Sequence, residues 1–187
     1  MKSKISTLLA TLILGSSSLF ALEGSYYPIE DDNSNQRLNS FISAGINVGK
    51  TQVLSNNELI DKGTFGLSGV GQYLYYPKDS KVFNIGLRAE FDLQFVSVTE
   101  NNKKIKKALS SGSVDITSGL SFTDNSNVYS GIGYGFGQED SKSSVVGIMG
   151  IDIKAANFIV NPYLNLYVVK NGNTIQSVEG VRIMWKF

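Results

Sequence analysis

Along most of this chain apolar and polar residues take turns. The clearest run is "VFNIGLRAEFDLQFVSV". In it Phe83, Ile85, Leu87, Ala89, Phe91, Leu93 and Phe95 share one parity, and Asn84, Gly86, Arg88, Glu90, Asp92 and Gln94 the other. A period of two puts successive side chains on opposite faces of a β-strand. Seven apolar positions in register outrun an ordinary globular strand. The same rule predicts strands over 39–50, 63–76, 81–98, 112–123, 128–138, 144–154, 158–170 and 174–187. Ile42, Ala44, Ile46 and Val48 mark the apolar face of the first, and Val114, Ile116, Leu120 and Phe122 that of the fourth. In the second, Phe65, Leu67, Tyr73 and Tyr75 take one parity and Val70, Leu74 and Tyr76 the other, which predicts a bulge. Pro162 inside the seventh predicts a bulge or a strand end.

The connections alternate in length. "TQVLSNNELIDK" and "TENNKKIKKALSS" are expected as long loops, facing the tight turns "PKDS", "DNSN" and "AAN"; the later "EDSKS" and "NGN" are shorter. Long loops at one end and short turns at the other belong to an outer-membrane barrel. A soluble calyx with its apolar face inward is the alternative architecture. Against it, the polar faces are built from small or charged residues such as Gly131, Gly133, Gly135, Ser113, Asp115 and Thr117. These fit the narrow interior of eight strands, whereas the bulky apolar set does not. Aromatic residues gather at strand ends, with Phe41, Tyr75, Phe83, Phe122, Phe158, Trp185 and Phe187 toward the short turns and Phe65, Phe95 and Phe136 toward the long loops. Two such girdles suit the two interfaces of a bilayer. Glu179 falls on the lipid-facing parity, tolerable near an interface.

The first residues change the picture only for 1–38. Lys2 and Lys4, the apolar "ISTLLATLIL" and the small-residue "GSSSLFA" read as a signal peptide over 1–21, and polar residues 22–38 as a periplasmic tail, alternatively tucked into the barrel mouth. Removing 1–21 leaves 15 basic against 16 acidic residues, a balance with no electrostatic case for nucleic acid. The expected architecture of 39–187 is all-β: a closed eight-stranded antiparallel up-and-down transmembrane β-barrel, since lipid tolerates no unpaired strand edge.

The chain ends on "VEGVRIMWKF", with Val181, Ile183, Trp185 and Phe187 at every second position. This ending is similar to the signal by which outer-membrane barrels are taken up by the barrel-assembly machinery. With its eight strands, 39–187 resembles the small OmpA-like, OmpX-like and opacity-protein barrels. No globular domain of the peptidoglycan-binding kind is expected after the barrel. The resemblance implies the outer membrane of a Gram-negative bacterium, a monomer among membrane lipids and lipopolysaccharide, and a structural or surface-interaction role with an extracellular ligand. The alternative is a narrow channel for ions or small solutes.

Two groups of residues are candidates for chemistry. Arg88, Glu90, Asp92, Asp115 and Arg182 fall on interior parities and are expected to pair across the lumen as a neutralised plug, because an unpaired interior charge is costly. Lys103, Lys104, Lys106 and Lys107 cluster in the second long segment, where they would meet phosphate or an acidic glycan. No enzyme is expected: the chain has no His to serve as base, and Ser and Asp show no paired arrangement that would activate a nucleophile. Without His or Cys no cofactor or metal site is implied.

Overall fold

The computed structural model describes residues 40–55, 58–77, 80, 82–100, 103–136, 143–169 and 174–187. They form eight strands: β1 (Ser40–Ser55), β2 (Glu58–Tyr75), β3 (Phe83–Glu100), β4 (Lys103–Thr123), β5 (Ser126–Phe136), β6 (Ser143–Ala155), β7 (Phe158–Val169) and β8 (Thr174–Lys186). Each pairs antiparallel with its neighbours in chain order, and β8 returns to β1, so the sheet is a closed up-and-down barrel. The seam is paired almost to the last atom. Ser43 faces Lys186, and the Phe187 N–H donates to the Ile42 carbonyl at 2.9 Å.

The alternation decides which way each side chain points. Ile42, Leu67, Leu87, Val114, Ile116, Ile132 and Ile183 are exposed on the outer wall, while Asn47, Asn84, Arg88, Asp92, Gln94, Asn161 and Arg182 are buried inside. The barrel is therefore apolar outside and polar inside, an arrangement that requires lipid rather than water around it. At the turn end Phe158 and Trp185 sit opposite each other across β7 and β8, edge to face with centroids 4.7 Å apart. Phe41 departs from the expected girdle. It shares parity with Ser43 and Asn47, so it points inward and packs with Val70, Ile159 and Met184 as a small apolar floor.

Three expectations are corrected. The bulge in β2 does not occur: β1 and β2 pair without a break from Ser40–Tyr73 to Ser55–Glu58. Val70 and Leu74 are interior apolar residues rather than a change of phase. The register shifts instead in β4, between Ser121 and Thr123. Pro162 neither bulges nor ends β7. Pairing of β6 with β7 skips two rungs and resumes in the same register at Ile153–Val160. Pro162 has no N–H to give Ile151, and the Asn161 side-chain amide donates to that carbonyl instead, at 3.1 Å.

The third correction concerns the two long segments. β1 and β2 run to Ser55 and from Glu58, and β3 and β4 to Glu100 and from Lys103, so most of "TQVLSNNELIDK" and of "TENNKKIKKALSS" is strand, not loop. β2–β3 pairing is recorded only from Phe65–Phe95 inward, and β4–β5 pairing from Gly112–Phe136 inward. Among the described residues the ends of β3 and β4 thus stay paired out to Glu100–Lys103 as a ribbon that parts from β2 beyond Phe65–Phe95, while β2 stays paired to β1. A crossing needs about 9–11 residues; β4 has 21, against 11 in β5. No sustained apolar period runs through these ends, where Ser97, Lys106 and Lys107 are exposed, so nothing in the sequence marks them as strand. Glu179 is exposed on the outer wall, directly across the seam from Lys50.

Candidate functional site

The interior has two unlike walls. From β1 to β4 it is lined by polar and charged residues such as Asn47, Ser68, Gln72, Glu90 and Asp92. From β5 to β8 it carries Tyr129, Val146, Ile148, Tyr163, Tyr167 and Val178. Two arginines bridge the walls. Arg88 projects from β3 and lies over the Tyr129 ring at 4.2 Å; Arg182 projects from β8 and lies over the Tyr163 ring at 3.6 Å. A weakly hydrated planar guanidinium suits such stacking where an ammonium would not.

Each arginine joins two carboxylates. Arg88 meets Glu90 through Nε at 2.5 Å and Asp152 through Nη1 at 2.8 Å. Arg182 Nη2 lies 2.8 Å from Glu90 Oε2 and 2.7 Å from Asp92 Oδ2. The result is an alternating chain across the lumen, Asp152–Arg88–Glu90–Arg182–Asp92. Burying charge is tolerable only when every donor and acceptor is engaged, and neutral side chains complete the set. Asn165 Nδ2 donates to Glu90 at 2.7 Å, and Asn47 Nδ2 and Ser68 Oγ donate to Asp92. Gln72 accepts from Arg88, and Asn161 Oδ1 accepts from both arginines.

Of the five interior residues expected to pair, the structure brings four together and leaves Asp115 apart. Asp115 is the cross-strand neighbour of Arg88, yet it accepts from Ser113 Oγ at 2.5 Å and sits over Gly133. Arg88 is long enough to cross the lumen, where Tyr129, Asp152 and Asn161 together offer more than Asp115 alone. Asp152 takes the place assigned to Asp115. Its signal was present in the sequence: it alternates with Ile151 and Ile153, so its parity is interior.

The lysine cluster lies on β4 rather than in a loop. Lys103, Lys104, Lys106 and Lys107 stand opposite Glu100, Thr99, Ser97 and Val96 of β3. Lys106 shares the outward parity of Ala108, and Lys106 and Lys107 are exposed. Among the described residues there is no cluster of three metal-ligating side chains; Glu90, Asp92 and Asp152 already serve arginines.

With this geometry the chain superposes on Ail, the attachment invasion locus protein of Yersinia pestis, in complex with the heparin analogue sucrose octasulfate. The TM-score is 0.53 at 15% identity, over 80% of this chain and all of that one. Ail without the analogue matches with the same score at 13% identity and the same coverage. The fold is that of a small outer-membrane β-barrel. No family model matches the chain, and no curated protein does. The likeness speaks to the fold alone, so the role of this barrel has to be argued from its own filled interior and its ribbons.

Proposed function

We propose that this protein is exported by its first 21 residues to the outer membrane of a Gram-negative bacterium, where it serves as a structural and surface-interaction barrel. It is not an enzyme, and its ligands are polyanions held outside the membrane by the β3–β4 ribbon. The observation that carries this reading is the ribbon itself: strands longer than a bilayer needs, leaving the ring, with four lysines on one of them. Ail, of like fold, has been solved with a sulfated heparin analogue.

The test is binding of sucrose octasulfate to the barrel in nanodiscs. Replacing Lys103, Lys104, Lys106 and Lys107 with Ala weakens it about tenfold, as four exposed ion contacts of a few tenths of a kcal/mol each imply. Affinity also falls with salt. Unchanged binding in the quadruple variant rejects the reading.

A transport role is opposed by the buried ion chain across the lumen. The expected result in planar bilayers is no stepwise conductance. The assembly role of the C-terminal residues rests on the seam: Val181, Ile183, Trp185 and Phe187 are exposed outward, and Phe187 donates the last rung. Unboiled protein should migrate differently from boiled protein on a denaturing gel, and deletion of Phe187 should slow appearance of the folded band. Equal rates would leave Phe187 without a part in assembly.

A further inference from the structure

At the turn end the interior face finishes on two lysines. Lys154 is the last residue of interior parity on β6, and Lys186 the last on β8; both are half-buried. Lys154 stands opposite Ile159 of β7, Ile159 opposite Met184 of β8, and Lys186 opposite Ser43 of β1. The two lysines thus share the rim of the apolar floor, on strands with only β7 between them. Among the described residues neither side chain has an ion-pair or hydrogen-bond partner. Asp152, one interior position deeper, is engaged by Arg88.

Two like charges without an ion-pair partner repel, and an anion placed between them relieves this. β1 starts at this same end, with Ser40 three residues before the partner of Lys186. Immediately upstream the sequence carries Glu30, Asp31 and Asp32 in a row, and residues 22–38 hold four acidic side chains against Arg37 alone. The eight residues from Asp32 to Ser40 reach up to about 27 Å, well beyond the ~10 Å from Ser40 to the level of Ser43. Tethering at that range supplies an effective concentration in the millimolar range.

We propose that the acidic run Glu30–Asp31–Asp32 of the chain's own N-terminal tail docks on Lys154 and Lys186 at the turn-end rim of the barrel. The contact is electrostatic and loosens as salt shortens the Debye length below about 8 Å.

The test is lysine acylation of the folded, tail-bearing protein in nanodiscs, read by mass spectrometry at each site. In the variant E30Q/D31N/D32N, Lys154 and Lys186 should be acylated about three- to fivefold faster, the ratio that two exposed ion pairs supply, with Lys106 unchanged. Equal rates in the variant overturn the proposal. Protection that survives in the variant but vanishes in a phosphate-free detergent assigns the site to a lipid phosphate and overturns it as well. A second measurement uses the absence of cysteine from the chain. The pair N33C/N157C keeps every charge of the contact and puts a thiol on the turn whose carbonyl accepts from the Lys186 N–H. Checked for the heat-dependent gel shift, it should oxidise to an internal disulfide, whereas N33C/K106C, with its second thiol at the far end, should not. Failure of the first pair in folded protein, or equal oxidation of both, also overturns the proposal.

Discussion

Replacing Arg182 with Met should lower stability by about 3–5 kcal/mol, the cost of leaving a buried charge without its partner. The side chain spans from β8 to β3, where it neutralises Glu90 and Asp92, and it lies on Tyr163. Its loss leaves Asp92 with no counter-charge, only the Asn47 and Ser68 donors, and leaves Glu90 to Arg88 and Asn165. Read as a urea midpoint in detergent micelles, with a slope of about 1–3 kcal/mol per molar, the shift exceeds roughly 1 M. Adding E90Q and D92N to R182M should restore part of the loss, since residues in one network are not additive. A single-variant effect below about 1 kcal/mol, the usual size for an exposed pair, would show that the ion chain does not brace the barrel.

The second large effect is expected at Gly45. A Cβ there would lie 2.0 Å from the Ile183 carbonyl oxygen and 2.6 Å from the Met184 Cα. Both are backbone atoms of β8, so no rotamer change relieves the collision; only opening the β1–β8 seam does. Lipid offers no partner to the groups so exposed. G45V should therefore give no heat-modifiable band at all, whereas G71V, where a Cβ meets nothing within 4 Å, should fold normally. A folded G45V barrel would show that the seam has slack.

The strands that cross the bilayer were legible because lipid outside and polar packing inside impose opposite demands on successive residues. "VFNIGLRAEFDLQFVSV" carries that demand without an error. Where the demand lapses, so did the reading. The ends of β3 and β4 carry no apolar period, and "TENNKKIKKALSS" reads as loop although most of its backbone pairs as strand. In β2 the interior itself accepts apolar residues, so Val70 and Leu74 imitate a bulge. Parity also revealed which charges face inward, but not which of them meet. An arginine reaches past its nearest strand neighbour, as Arg88 does in passing over Asp115 for Asp152. Asp152 and Phe41 were readable from their neighbours' parity; only the pairing across the lumen needed coordinates.

The contact of Arg182 with Asp92 joins residues separated by 90 positions, and Arg182 stands on the last strand. Glu90 and Asp92 are made early and cannot be neutralised by that arginine until β8 arrives. A half-built barrel accordingly keeps a wet, acidic furrow that has no reason to dry out or to lock in a wrong register. Drying of the furrow and completion of the ring fall together in time, so the charged core acts as a clock that runs down only when the whole chain is in place.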